Sequence, residues 1–338
     1  MLKILQVGLG SMGKRRIRNL QELGIKNIVG FDVNENRRKE AKKLYKISTI
    51  SNINVGLKEN PDCMIISTPP DLHYKFAKIA IKNNINFFTE VNLSSKDIFK
   101  IKQDMRDKKI VGVPSSTMLF HPIIKQLKKL IKKKAIGKPL IIYHHFGHYL
   151  PNWHPWEDYR KFYVSKKKTG AAREVVPFEL VWMNHLFSDI HSVYGNINKI
   201  SDLETKIDDI YQIIIEFTSG IKCTFVVDVI SEPAVNETRI IGDNGIIYCD
   251  HNIGVIKIGK GNKWKKVKIK TGKMAKGYKG NTPSDSTYVE EMKSFLDSVI
   301  KKSPPEHTFN DELKILKILD AIELSNKKDQ KIILKNNR

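Results

Sequence analysis

Ile4-Leu5-Gln6-Val7-Gly8-Leu9-Gly10-Ser11-Met12-Gly13-Lys14-Arg15-Arg16 is the stretch on which the reading of this chain turns. A short apolar run, 4–8, passes into glycines spaced GxGxxG, and a helical pattern over 14–23 follows, ended by Gly24. A lone GxGxxG means little. Here Asp32 closes the next strand pattern, 27–32, and lies 19 residues beyond Gly13. Strand, glycine turn, helix, strand and acid in that order form the dinucleotide-binding fingerprint. Gly8 permits the tight turn, Gly10 lets the backbone approach a pyrophosphate, and Gly13 lets the helix pack on the sheet. The free N–H groups of the first turn, where Ser11 and Met12 stand, hold the diphosphate. Asp32 accepts hydrogen bonds from the adenosine ribose and repels a 2′-phosphate, which favours NAD over NADP. Arg37 and Arg38, one helical turn further on, either soften that preference or line an exposed helix face.

Outward from this unit, apolar runs continue to alternate with helical patterns. A charged helix runs through Leu44, residues 63–67 read as a strand, 72–82 as a helix, and 86–90 and 110–113 as further strands. Repeated βαβ units predict a parallel sheet with right-handed crossovers. After Pro122 a helix over 123–134 ends at Gly137-Lys138-Pro139 and the rhythm changes. Residues 140–149 alternate like a strand, a loop rich in Trp, His and Pro follows, and 179–194 reads as a helix. Strand patterns at 211–218, 222–229, 237–241, 245–250 and 255–258 lack intervening helices, so they predict a mostly antiparallel sheet. Residues 260–284, rich in Gly and Lys, read as a mobile loop, and helices over 286–301 and 310–326 close the chain. The expected architecture is α/β: a Rossmann doubly wound parallel sheet over residues 1–122, then an α+β domain with a large, mostly antiparallel sheet over 123–338. The second domain binds substrate and oligomerises, and the last helix packs back on the first.

Composition narrows the class. At 338 residues the chain fits two domains of ordinary size. The formal charge of +23 invites a nucleic-acid reading, but 49 of the 59 basic residues are Lys and only 10 are Arg, spread among Asn and Ile. Base and phosphate readout favours Arg clusters with interleaved aromatics, so no nucleic-acid partner is expected. Dense runs such as 125–134 and 166–168 read as solvated faces. No apolar run reaches the roughly 18–20 residues of a membrane span. The first residues run straight into the glycine motif, which excludes a removable signal there and predicts a cytoplasmic protein. Cys63, Cys223 and Cys249 have neither CxxC nor His-partnered spacing and read as reduced thiols, not a disulfide frame or zinc site.

Beyond the glycine motif, Ile66-Ser67-Thr68-Pro69-Pro70-Asp71-Leu72-His73 resembles the TPPxxH segment of the Gfo/Idh/MocA oxidoreductases, the family of glucose–fructose oxidoreductase and inositol dehydrogenase. Phe120-His121-Pro122, Ala135-Ile136-Gly137-Lys138-Pro139, Ile241-Gly242-Asp243-Asn244-Gly245, and residues 288–300 and 319–325 are similar to further elements of that family, so the resemblance covers nearly the whole chain. It implies that Ser67, Thr68, Pro69 and His73 sit against the nicotinamide half of the cofactor. Pro69 and Pro70 would stop the strand, and ligands of open α/β sheets bind at strand carboxyl ends. His73 is equally readable as a helix-start residue with a structural hydrogen bond. The resemblance also implies a homodimer or homotetramer formed through the C-terminal sheet.

The usual proton-handling residues are absent. Where the family carries Glu-Lys-Pro, this chain reads Glu90-Val91-Asn92. Glu90 fits the cofactor side and Asn92 is a substrate-binding candidate, but valine can neither move a proton nor polarise an oxygen. The family's Asp and His, expected within residues 170–182, are also missing under either alignment, and Thr117 and Leu119 replace an Asn and Arg often found ahead of the Phe-x-Pro element at 120–122.

Tyr149-Leu150-Pro151-Asn152-Trp153-His154-Pro155-Trp156-Glu157-Asp158-Tyr159-Arg160-Lys161-Phe162-Tyr163 supplies candidates for the replaced chemistry. It resembles a segment of family members found among surface-polysaccharide and nucleotide-sugar genes. Trp153, Trp156 and Tyr163 can stack on sugar or base faces, and Arg160 can grip a phosphate or carboxylate in a fork, or pair with Asp158 in a structural loop. His154 titrates near neutrality, and Tyr159 and Glu179 are the other acid/base candidates. A carboxyl in an apolar cleft has its pKa raised. Arg173 is a substrate-binding candidate beside Glu174, which it could equally hold in an ion pair. His144 and His148 share one strand face and His145 the other, without a convincing metal set.

The expected function is reversible hydride transfer between NAD and a secondary alcohol or ketone carbon of a sugar, phosphorylated or nucleotide-linked, in a pocket built by residues 67–73, 90–92, 149–163 and 173–179. The alternative is a homologue that binds NAD without turnover, in a regulatory or structural role.

Overall fold

The computed structural model describes residues 2–270, 272 and 285–334. Along the chain run β1 (Ile4–Val7), α1 (Ser11–Glu22), β2 (Ile28–Phe31), α2 (Glu35–Tyr45), β3 (Ser48–Ile50), α3 (Ile53–Lys58), β4 (Cys63–Ile66), α4 (His73–Lys82), β5 (Asn86–Thr89), α5 (Ser95–Asp104) and β6 (Gly112–Pro114). Next come α6 (Pro122–Lys132), β7 (Pro139–Gly147), α7 (Ala171–Phe187), β8 (Ile190–Asn198), β9 (Ile210–Phe217), β10 (Lys222–Asp228), β11 (Val235–Gly242), β12 (Gly245–Asp250), β13 (Val255–Lys260) and β14 (Lys263–Lys268). The last elements are α8 (Asp285–Lys301), α9 (Phe309–Lys328) and β15 (Ile332–Ile333).

These elements form two compact units, Met1–Thr117 with Asp285–Lys314, and Met118–Ser284 with the chain from Ile315 onward. In the first, six parallel strands stand in the order β3-β2-β1-β4-β5-β6. This is the doubly wound order whose reversal lies between β1 and β4. Strands β1 and β4 are buried along their whole length, as a sheet covered on both faces requires. Ile4, Leu9, Ile17, Leu20, Ile65 and Phe88 form its core, and α8 adds Met292, Phe295 and Leu296 as it packs on α1.

The second unit carries a nine-stranded sheet, β14-β13-β12-β11-β7-β10-β9-β8-β15, in which only β7 and β10 run parallel. Helix α7 packs on β9 and β10. Trp182 lies edge-on to Phe187, and Phe187 to Phe217. Cys63, Cys223 and Cys249 are buried free thiols, and burial pushes the Cys63 thiol up to about 12.

Three stretches depart from the sequence reading. The helix expected over 179–194 instead begins at Ala171, runs through Pro177 and stops at Phe187. Ser188, at φ 107, breaks it, and Val193 and Tyr194 join strand β8. No side chain caps the helix start at Ala171, so the sequence carries no capping signal for it. Second, residues 263–268 of the expected mobile loop are strand β14, hydrogen-bonded to β13. Its Lys-rich outer edge disguised a strand whose pairing, not its apolarity, makes it one. The remainder of that loop, 271 and 273–284, lies outside the described residues. Third, β3, α3 and α5 are additional elements of the parallel unit.

Candidate active site

The glycine turn is built by close approach. Gly8 has φ +89, and a Cβ on it would lie 2.4 Å from the Ser67 carbonyl oxygen. A Cβ on Gly13 would lie 1.9 Å from the Gly8 carbonyl oxygen. Gly10 is different. The nearest atom to its imagined Cβ is Arg37 Nη1, at 3.8 Å, so the space above it is open. Gly10 is the N-cap of α1 and no side chain caps that end. An uncapped, approachable helix start with its positive dipole end is what a diphosphate needs, so these residues fit the cofactor.

Asp32 is buried at the end of β2. Its Oδ2 accepts from the Leu9 backbone N–H at 2.8 Å and its Oδ1 from that of Asn34 at 2.8 Å. Each carboxylate oxygen keeps capacity for a further donor such as a ribose hydroxyl. Arg37 reaches within 3.9 Å of Asp32 and is exposed, whereas Arg38 donates to the carbonyls of Asp32 and Val33. Of the two arginines, Arg37 alone has its guanidinium beside the acid and over Gly10.

Strand ends β4, β5 and β6 carry a buried polar network that sequence reasoning found only in part. Arg16 on α1 donates to both oxygens of Glu90, at 2.8 and 2.7 Å, and pairs with Glu291 on α8 at 2.8 Å. Its guanidinium also sits over the Phe88 ring, 4.7 Å from the centroid. Burial alone would lower the Arg16 pKa, but the two carboxylates outweigh it and raise it. Burial likewise raises Glu90, and Arg16 and the Ser67 hydroxyl reverse this, holding the carboxyl below its usual value. Ser67 Oγ donates to Glu90 at 2.9 Å and accepts from Gln6 Nε2 at 3.1 Å. Glu291 in turn accepts from the Ser115 and Thr117 hydroxyls and the Ser116 N–H. Ser67, Glu90 and the glycine turn are therefore tied together. Arg16, Gln6 and Glu291 were missed. Glu291 left one signal: it stands at helical spacing with Tyr288, Met292 and Phe295, on the buried face of α8.

His73 begins α4 and is buried. Its ring nitrogens face the Thr68 carbonyl at 2.9 Å and Asn92 Oδ1 at 3.0 Å. Asn92 is thus drawn into the unit's interior with His73. Val91, half-buried between Glu90 and Asn92, brings no ionisable group to this edge.

In the second unit the aromatic loop is largely self-satisfied. His154 is partly exposed and stacks between Trp156 and Phe162, at centroid distances of 5.2 and 5.4 Å, while its Nδ1 faces Glu157 at 3.2 Å. Trp156 is 51% exposed. Trp153 donates its indole N–H to the His148 carbonyl, and the Tyr163 hydroxyl donates to Glu174. The Tyr159 hydroxyl accepts from the Glu204 N–H at 3.4 Å. Arg160 forms a fork with Asp158, at 2.8 and 3.0 Å, and also pairs with Glu204. Its hydrogen bond holds the Asp158 carboxyl below the usual range. Arg173 binds Glu323 and the Lys168 carbonyl.

Glu179 is fully buried. Trp182 Nε1 donates to it at 2.5 Å and His144 lies 3.1 Å away. His144 is linked through the Thr238 hydroxyl to His251, which lies 5.9 Å from His121, ring to ring. Burial pushes His121 down to about 4 and His251 well below its ordinary value. Glu179 is enclosed by this polar core of the second unit.

Comparison with known proteins places this geometry. Residues 2–114 match the model of an oxidoreductase family with an NAD-binding Rossmann fold, and residues 124–248 match the GFO/IDH/MocA C-terminal domain. Together the matches span more than half of the chain, which belongs to the GFO/IDH/MocA family and is an oxidoreductase with an NAD-binding domain. Among solved structures, levoglucosan dehydrogenase in complex with NADH and levoglucosan aligns with a TM-score of 0.84 at 16% identity, over 99% of this chain and 100% of the other. Myo-inositol 2-dehydrogenase from Lactobacillus plantarum aligns at 0.81 and 17%, over 99% of each chain. An oxidoreductase from Agrobacterium radiobacter in complex with NAD+, L-tartaric acid and magnesium aligns at 0.85 and 12%, over 98% of each. These likenesses show a shared fold. No curated protein matches the chain. Among the described residues, no helix is long and apolar enough to cross a membrane.

Proposed function

We propose that the chain transfers a hydride reversibly between NAD and a secondary alcohol or ketone carbon of a sugar, phosphate- or nucleotide-linked, in cytoplasmic surface-polysaccharide metabolism. The observation that carries this reading is the exposed indole of Trp156 stacked face to face on the His154 ring, an aromatic platform that includes an imidazole. Aromatic faces suit sugar rings and bases, and an imidazole can pass a proton to or from a hydroxyl. His154 is the acid/base of this reading. Glu179, enclosed with His144 and Trp182, and Tyr159, held by Glu204, support the fold around it. Fixing the reacting carbon against the cofactor would supply much of the rate.

The test is a panel of free, phosphorylated and nucleotide-linked sugars followed at the NADH absorbance. At least one linked sugar is expected to turn over, His154→Gln to lower kcat by about 10²–10⁴, and Trp156→Ala to raise KM. Val91 favours a second reading, an NAD-binding homologue without turnover. Tight NADH binding with no turnover on any sugar would establish that one and refute the first.

A homodimer or homotetramer through the second unit's sheet belongs to the same proposal. The sheet exposes Tyr143, Ile214 and Trp264, beside a groove of about 800 Å³ lined by Arg239, Tyr248, Lys257 and Lys266. A monomeric mass by light scattering would exclude it.

A further inference from the structure

We propose that His73, Asn92, Glu312 and His307 share one stored proton at the carboxyl edge of the parallel sheet, carried on His73 Nδ1 or on Glu312 Oε1 according to which way the Asn92 amide points. The four side chains are buried and form one line. His73 Nε2 faces the Thr68 carbonyl at 2.9 Å, and His73 Nδ1 faces the Asn92 amide at 3.0 Å. The other side of that amide faces Thr89 Oγ1 at 3.0 Å and Glu312 Oε1 at 3.2 Å, and Glu312 Oε2 faces His307 Nε2 at 2.9 Å.

Donor and acceptor capacities decide the proton count. A carbonyl only accepts, so His73 Nε2 carries hydrogen. If the Asn92 oxygen points at His73, Nδ1 must carry hydrogen too. His73 is then an imidazolium, and the ionised Glu312 accepts from the Asn92 NH₂ and from His307. If the amide is turned over, its NH₂ donates to a neutral His73 and its oxygen faces Glu312, which must then be protonated to donate to it. The Thr89 hydroxyl serves either orientation. Both arrangements satisfy every contact and hold the same number of protons. His73 Nδ1 loses the one that Glu312 Oε1 gains. Removing that proton leaves two acceptors facing each other in a buried site whichever way the amide lies, which is a costly arrangement. Burial lowers the pKa of His73 taken by itself; the shared contacts hold the proton in the chain as a whole. The charged groups facing the line are Glu90, already paired with Arg16, and Asp311 beside His307.

Thr68, at one end of the line, and Asn92, within it, lie just beyond β4 and β5, where open α/β sheets bind ligands. It supplies there the ionisable group that Val91 does not. Resting on the NAD reading above, the stored proton offsets the Glu312 charge in either arrangement, and its loss leaves a net negative charge that favours the positively charged oxidised nicotinamide over the neutral reduced one.

The experiment is ¹⁵N-histidine NMR of the full chain, with His73 assigned from the signals lost in His73→Gln and the Glu312 carboxyl followed by ¹³C labelling. At least about one pH unit above the ordinary histidine value near 6.5, either His73 Nδ1 or Glu312 is expected still to hold a proton. Glu312→Gln removes the need for it, because two amides in series satisfy every contact with a neutral His73. That variant is expected to show neutral His73 at pH 8. A wild-type protein with neutral His73 and ionised Glu312 at that pH, or a Glu312→Gln variant in which His73 is an imidazolium at pH 8, overturns the proposal. The NADH/NAD+ affinity ratio is measured in parallel and is expected to fall with pH in wild type only. A flat ratio with the proton present refutes the placement of the nicotinamide, not the stored proton.

Discussion

Replacing Arg16 with Met tests the buried network most directly. The side chain is fully buried and answers two carboxylates, Glu90 through a two-bond fork and Glu291 at 2.8 Å. Met fills much of the volume and keeps contact with Phe88, so the change is chiefly one of charge. Removing one partner of a buried ion pair costs about 3–5 kcal/mol, because the remaining charge is left uncompensated. In a unit of this size each kcal/mol lowers Tm by about 2–4 °C, so a loss of roughly 10 °C is expected at pH 8. The sign of the pH dependence is distinctive. In the native protein Arg16 and Ser67 hold the Glu90 carboxyl below its ordinary value, despite burial pushing it up. Without Arg16, burial governs and the folded-state pKa rises above the unfolded one. The penalty is then largest well above that raised pKa and shrinks as pH falls through it. Thermal unfolding of wild type and Arg16→Met by calorimetry between pH 5 and 8 measures both effects. A Tm loss under about 2 °C, or one equal at pH 5 and pH 8, refutes the reasoning.

Gly13→Ala drives a methyl to 1.9 Å from the Gly8 carbonyl oxygen; NADH affinity, read by fluorescence titration, is expected to fall at least tenfold. Asp32→Asn keeps an oxygen for the Leu9 N–H but removes the charge that repels a 2′-phosphate, with Arg37 waiting beside it. NADPH affinity relative to NADH is expected to rise about tenfold, and Arg37→Ala in that background to cancel the gain. Arg160→Ala removes a half-exposed pair with Asp158 and Glu204. Exposed pairs contribute little, so Tm is expected to stay within about 2 °C. A large rise in substrate KM would instead show that Arg160 leaves its carboxylates to grip an anion.

The parallel unit was legible because its chemistry is local. Gly8, Gly13 and Asp32 act within one turn–helix–strand segment, and alternating apolar runs announce a sheet covered on both faces. The network around Arg16 was not legible, since Glu90, Glu291 and Thr117 come from separate parts of the chain and no local pattern links them. The partners that the fold gives Asn92, His73 and Glu312, lie 19 and 220 residues away, so no local pattern in the sequence points to them. Arg160 illustrates the opposite limit: its fork to Asp158 was weighed from the sequence, but Glu204, the second carboxylate on it, follows only from the folded chain. Strand β14 was hidden by its lysines, because an edge strand is defined by the neighbour it pairs with.

The first unit is completed by residues 285–314, which follow all but the last strand of the second unit's sheet in the chain. Arg16 therefore meets Glu291, and Asn92 meets Glu312, only after a long stretch of intervening polypeptide has been made. At about 5–20 residues per second, a growing chain that has reached Thr117 waits roughly 10–35 s for Glu291 to be joined to it. During that interval the face of α1 that α8 will cover lacks Asp285 and Glu291, the acids that Arg15, Arg16 and Arg18 meet on α8. The nascent N-terminal segment is thus an incomplete folding unit on the ribosome, and a chaperone that shields this one helix face would act in that window.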